Sequence, residues 1–137
     1  MNSLVTIDAS VFVSAFTPSE PAHAASKVRM RHFYDSGTPI IVPTLILPEI
    51  AAALARGQGK PGLGIAFAEE VASLPNVTLV NVDESLARLA AQTAAKYKLR
   101  GSDAVYAAVA LRFGAQLVTL DREQLERLAP ALPVSTP

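Results

Sequence analysis

Four short apolar runs rich in β-branched residues, at positions 4–7, 40–42, 77–82 and 116–120, recur along the chain with longer stretches of helical spacing between them. That alternation constrains the fold most, because strands joined by helix-length crossovers pair in parallel and need helices over both faces of their sheet. The expected class is therefore α/β with a mostly parallel central sheet, the four runs reading as buried strands. A length of 137 residues suits one compact domain over 1–137, with core enough to fold without staples. Half of the residues are hydrophobic, which excludes disorder, and no repeat or linker divides the chain.

The clearest helical stretch is 84–97, where Leu86, Leu89, Ala90, Thr93, Ala94 and Tyr97 share a face behind Asp83 as N-cap. A second, 103–113, is opened by Ser102 and closed by Gly114, and its Ala104, Ala107, Ala108 and Ala110 suit close packing on the sheet. Further helices are expected over 22–34, ending near Gly37, over 45–56, where Pro48 blurs the start, and over 65–74. Between them GQGKPGLG holds four of the seven glycines and reads as a mobile loop and the hinge of the chain. Prolines 130, 133 and 137 break the tail, leaving room for a short edge strand around Val134.

Twelve Lys and Arg balance twelve Asp and Glu, so the molecule as a whole does not attract polyanions and any nucleic-acid contact needs a local patch. The absence of cysteine excludes disulfides and zinc–cysteine clusters. The start MNSLVTIDASVF lacks a basic leader region and its apolar run is broken by Asp8, so neither a signal peptide nor an anchor is expected. No apolar stretch reaches the ~20 residues that span a bilayer, and a cytoplasmic protein is the expectation.

The acids are few enough to weigh singly. Asp8 follows the first strand directly and Asp121 the last, and each taken alone reads as a turn former or helix cap, Asp121 with Gln124 resembling a capping box. Asp103 lies in a first helical turn, where the helix dipole favours a carboxylate anyway. Glu49 sits in LILPEIAAALA among apolar neighbours, either on a narrow polar face or turned inward to meet a partner. The four together say more than each alone. In a parallel sheet the functional crevice lies beyond the carboxyl ends of the strands, the edge that Asp8 and Asp121 occupy and that early residues of the Glu49 and Asp103 helices reach. Four converging carboxylates repel unless a cation neutralises them, and an oxygen-only set without His or Cys suits Mg²⁺ or Mn²⁺.

Those residues resemble the PIN-domain ribonucleases, and within them the VapC toxins of toxin–antitoxin pairs. The resemblance rests on VTIDASVFVSAF, the lone glutamate in PTLILPEIAAALAR, and LRGSDAVYAAVALRFGAQLVTLD. It covers essentially the whole chain and implies a three-layer α/β/α PIN-like fold. It also implies metal-dependent endonucleolytic cleavage of RNA that leaves 5′-phosphate and 3′-hydroxyl ends. Asp8, Glu49, Asp103 and Asp121 fall on the family's four acids. The resemblance makes Asp8 and Asp103 principal ligands of Mg²⁺ or Mn²⁺, Asp121 a ligand direct or through water, and Glu49 a water-mediated ligand or helper of the nucleophile. Ser10 and Thr119 would orient those ligands. It further implies a homodimer and a cognate VapB-like antitoxin, with no membrane.

Candidate RNA contacts are Lys96, Lys98 and Arg100 before the third acid, Arg56 and Lys60 flanking the Gly-rich segment, and Lys27, Arg29 and Arg31 on one helix. His23 and His32 read as surface or packing residues and Tyr106 as core. The apolar surplus is expected on Phe12, Phe16, Leu45, Ile46, Leu47 and Ile50, partly covered by another chain. A PIN nuclease of RNA processing and a non-catalytic PIN-fold binding module are the alternatives. No DxDx[TV] phosphatase signature follows Asp8, and GQGKPGLG lacks the Walker order.

Overall fold

The computed structural model describes residues 3–137; Met1 and Asn2, at the head of the segment weighed as a leader, lie outside them. The elements run β1 (Val5–Ile7), α1 (Ala9–Phe16), α2 (His23–Ser36), β2 (Ile40–Pro43), α3 (Ile46–Gln58), α4 (Pro61–Ala72), β3 (Val77–Val80), α5 (Glu84–Tyr97), α6 (Gly101–Phe113), β4 (Gln116–Val118), α7 (Arg122–Leu128) and β5 (Val134–Ser135). The five strands form one sheet in the order β3-β2-β1-β4-β5, and every neighbouring pair is parallel. The right-handed crossover rule then puts α1–α4 on one face and α5–α7 on the other, the three-layer α/β/α arrangement expected from the sequence.

Strand order reverses between β1 and β4, which lie side by side with Val5 opposite Gln116 and Ile7 opposite Val118. That register sets Asp8 level with Thr119 just beyond the strands' carboxyl ends, the position where an open parallel sheet forms its crevice. Central β1 and β2 are buried along their whole length, as sheets covered on both faces require. The run at 77–82 departs from expectation: β3 is an edge strand, half-exposed, with Val82 beyond it exposed. The tail supplies β5 at the opposite edge, parallel to β4.

Helix caps explain most boundaries. Asp83 caps α5 by accepting from Leu86 N at 2.9 Å, and Gly37 and Gly114 close α2 and α6 in the left-handed conformation that glycine adopts without strain. α6 begins at Gly101, so Ser102 is inside the helix and Arg100 stands at the N-cap position without a side-chain cap bond. The larger correction concerns GQGKPGLG. α3 continues to Gln58, Gly59 turns the chain at φ +64°, and Pro61 opens α4 at its first position, where the missing N–H costs nothing. The expected mobile hinge is thus a tight turn between two packed helices. A Cβ on Gly64 would lie 2.6 Å from the Ala51 carbonyl oxygen, so the glycine is what lets α4 approach α3.

The core gathers β1, β2 and β4 with Phe12, Ile46, Ile50, Leu54, Leu86, Leu128 and the alanines of α6. Of the residues expected to carry surplus apolar surface, Phe12, Ile46 and Ile50 are buried, and Phe16, Leu45 and Leu47 are partly buried against that core. The apolar side chains that stand out are instead Val28 and Tyr34 on α2, Ile65 on α4 and Phe113 at the end of α6. Among the described residues no helix is long and apolar enough to cross a membrane.

Candidate active site

A cleft of about 440 Å³ opens at the carboxyl edge of the sheet and is lined by Asp8, Glu49, Asp103 and Asp121 together with Ser10, Arg100 and Tyr106. Each acid arrives from a different element. Asp8 follows β1 and caps α1, its Oδ1 accepting from Ser10 N at 2.6 Å. Glu49 and Asp103 lie in the first turns of α3 and α6, where unpaired backbone N–H groups favour negative charge. Asp121 caps α7, its Oδ1 accepting from Gln124 N at 3.0 Å. The ordinary capping role and the cleft role are therefore carried by the same Asp8 and Asp121 side chains, one oxygen each being committed to a helix end.

A buried hydrogen-bond network fixes the acids against one another. Thr119 Oγ1 donates to Asp8 Oδ2 at 2.7 Å and accepts from Asp121 N at 3.0 Å, so it ties the two strand ends together. Ser10 contributes through its backbone to Asp8, while its Oγ accepts from Leu120 N at 3.4 Å. Gln124, fully buried, takes a part that no local sequence pattern signals. Its Nε2 donates to Asp8 Oδ2 at 2.8 Å and to Asp103 Oδ1 at 3.1 Å, bridging two carboxylates from opposite ends of the sequence. Carboxylates only accept, which turns the amide nitrogen toward them and leaves Gln124 Oε1 buried without a partner. The expected capping box is thus half formed: Asp121 caps Gln124 N, but the glutamine side chain serves the acids instead of the helix end.

Two further residues take roles other than those read from the sequence. Tyr106 is buried as expected of core, yet its hydroxyl donates to Glu49 Oε1 at 2.6 Å. Burial and that carboxylate push the Tyr106 hydroxyl well above its usual range, so it stays a donor. Arg100, read as an RNA contact, pairs with the acids: Nε donates to Asp103 Oδ2 at 3.0 Å and Nη2 to Asp121 Oδ2 at 2.5 Å. Among the described residues it is the only Lys or Arg lining the cleft; Lys96, Lys98, Arg56 and Lys60 are exposed elsewhere. Lys96 lies over the Tyr97 ring, and Lys98, in the left-handed region, caps α5 and accepts from Arg127 through its carbonyl. Glu20 is an exposed fifth acid at the cleft. His23 packs, its Nδ1 hydrogen-bonded to Ser14 O at 2.9 Å, and His32 is exposed.

The cleft's electrostatics follow from this crowding. Burial raises the Glu49 carboxyl above its ordinary range, the Tyr106 hydroxyl opposing the shift and the charges of Asp8 and Asp103 adding to it. Burial also raises Asp103, with Arg100 opposing and Asp121 and Asp8 reinforcing. Five carboxylates against one guanidinium leave the cleft short of positive charge, and an oxygen-only donor set suits a hard divalent cation. As the acids stand, no three His, Cys, Asp or Glu side chains among the described residues converge closely enough to hold an ion. Gln124 holds Asp103 Oδ1 and Asp121 Oδ1, and Arg100 occupies the Oδ2 atoms that remain.

The family described as PIN domain matches residues 5–129. Solved structures share the fold across nearly the whole chain. The VapC20 toxin of Mycobacterium tuberculosis, described as cleaving the sarcin–ricin loop, superposes with a TM-score of 0.74 at 19% identity, covering 93% of this chain and 95% of its own. VapBC2 from Rickettsia felis bound to a promoter DNA fragment gives 0.72 at 12% identity, covering 97% and 98%. DNA-bound VapBC from Salmonella typhimurium gives 0.70 at 18% identity, covering 99% and 98%. No curated relative matches at the level of sequence.

Proposed function

The chain belongs to the PIN-domain family, and from that premise we propose that it is a metal-dependent endoribonuclease, the toxin of a VapBC-type toxin–antitoxin pair. The observation that carries the reading is the convergence of Asp8, Glu49, Asp103 and Asp121 from four elements onto one cleft at the strand-order switch point. Asp8 and Asp103 would hold Mg²⁺ or Mn²⁺, with Asp121 as a ligand direct or through water. When bound, such an ion supplies an activated water and neutralises charge on the phosphate as the phosphodiester bond breaks.

The chain's own residues prepare that step. Thr119 and Gln124 hold Asp8 and Asp103 through Asp8 Oδ2 and Asp103 Oδ1, so the rearrangement a cation requires falls on Arg100 and the remaining carboxylate oxygens. Glu49, with a raised pKa and one oxygen held by Tyr106, is suited to take a proton from the attacking water. The neutral net charge leaves RNA binding to local groups, with Lys96 and Lys98 beside the α6 entry as candidates and Arg56 and Lys60 at the far end of α3.

The partner part of the reading is supported by structures with the same fold that were solved as VapBC complexes. An open apolar groove between α2 and α4, lined by Val28, Met30, Tyr34 and Phe67, offers a surface for a VapB-like antitoxin. The exposed Ile65 and Phe113 provide further apolar area for the proposed homodimer. The test is cleavage of a mixed RNA pool by the wild type and Asp103→Asn with Mn²⁺, with Mg²⁺ and with EDTA. Metal-dependent cleavage leaving 5′-phosphate ends, absent in the variant, is expected. No cleavage by folded, inhibitor-free protein under any condition would move the reading to the non-catalytic binding module.

A further inference from the structure

The positive charge facing the acids belongs to the chain itself. Arg100 stands at the N-cap position of α6, three residues before Asp103, with its carbonyl accepting from Ala104 N at 3.0 Å. Its guanidinium spans two carboxylates brought together from α6 and α7. Which oxygens it holds is informative. Asp103 Oδ1 is taken by Gln124 Nε2, and Asp121 Oδ1 by the Gln124 backbone N–H, so both inner oxygens serve the protein. The Oδ2 atoms left to a cation are those that Arg100 occupies. A guanidinium and a divalent ion on the same two oxygens repel strongly, because both are positive and within a few ångströms.

The arginine is also cheap to move. Its side chain is 68% exposed, whereas Asp103 and Asp121 are 11% and 18% exposed, so releasing it exposes little that was buried. Its backbone is fixed by the helix start, and rotation about side-chain bonds is enough to carry the head away. We propose that Arg100 is a built-in counter-cation: it clamps Asp103 and Asp121 when no metal is bound, and the metal displaces it from their Oδ2 atoms to face the substrate phosphate. This rests on the reading of the cleft as a metal-dependent phosphodiesterase and adds to it a residue that exchanges acids for phosphate. A planar fork suits both partners, which lysine does not.

The experiment follows the Arg100 Nε–H resonance during a Mg²⁺ titration of the full chain, together with Mg²⁺ affinities of wild type, Arg100→Ala, Arg100→Lys and Asp103→Asn by calorimetry. The clamp predicts that the Nε–H resonance of the metal-free protein shifts or exchanges away on saturation. It also predicts roughly tenfold tighter Mg²⁺ binding by Arg100→Ala, within the usual span for two ligands competing at one site. Arg100→Lys, which keeps the charge but not the fork, should fall between wild type and Arg100→Ala in Mg²⁺ affinity, and both variants should bind RNA more weakly than wild type. An unmoved resonance at saturation, or an Arg100→Ala variant with wild-type Mg²⁺ affinity, overturns the clamp while leaving the metal site standing. Mg²⁺ binding that is absent in the wild type, or unchanged in Asp103→Asn, overturns the metal site and the clamp with it.

Discussion

At the scale of single residues, the cleft is a balance between carboxylates and the donors that tolerate their crowding. Gln124 gives two hydrogen bonds to acids and keeps one buried oxygen unpartnered, so Gln124→Leu removes a gain and a cost together. Its stability should change by about 1 kcal/mol or less in either direction, while Mn²⁺ affinity falls roughly tenfold to a hundredfold because Asp8 and Asp103 lose their common support. Thermal melting beside calorimetry separates the two. Because Glu49 and Asp103 titrate above the ordinary carboxyl values of 4.5 and 3.8, the native state holds their protons more tightly than the unfolded chain does. Their contribution to metal-free stability is therefore fully present below those ordinary values and is lost as pH rises through the raised ones. Melting curves across the acidic range should show the wild type losing stability relative to Glu49→Gln/Asp103→Asn as pH rises; parallel curves would contradict the shifts. The four acids were legible in the sequence because strand ends and first helical turns are local features. Gln124 and Tyr106 were not, since their partners Asp8 and Glu49 lie 116 and 57 residues away; of Arg100's two partners, Asp103 is a local i,i+3 neighbour and only Asp121, 21 residues away, was beyond local reading.

At the scale of elements, the strand and helix pattern carried the fold, and the errors share a cause. The run at 77–82 looked buried because β-branched residues mark strands without marking whether a strand is central or at an edge; sheet order decides that. The glycine count of GQGKPGLG suggests a mobile loop, whereas three of its residues have defined structural tasks. Gly59 supplies the left-handed turn, Pro61 starts α4, and Gly64 gives up its side chain so that two helices touch. Gly64→Ala should consequently destabilise the protein by about 1–3 kcal/mol, since the new methyl meets backbone that cannot rotate away. A melting temperature equal to that of wild type would show that α3 and α4 are free to separate. Gly62, with open space around its α-carbon, is the matched control and should tolerate alanine.

At the scale of the molecule, zero net charge and a cleft rich in acids make the approach of RNA a local matter. If Lys96 and Lys98 each neutralise a phosphate, their joint replacement by alanine should reduce the salt slope of RNA binding by roughly 0.7 per contact. An unchanged slope would shift the path to Arg56 and Lys60 or to Lys27, Arg29 and Arg31. The larger claim is that four carboxylates from four elements act as one centre. Groups that act as a unit are non-additive: once one is removed, removing a second costs little more. The decisive measurement is therefore RNA cleavage at saturating Mn²⁺ by Asp8→Asn, Glu49→Gln, Asp103→Asn, Asp121→Asn and the double variant Asp8→Asn/Asp103→Asn, each shown to melt cooperatively. Every single variant should lose most of the rate, and the double variant should lose no more than the worse of its singles. Wild-type cleavage by any one of the four, or losses that multiply in the double variant, would contradict a single four-carboxylate centre.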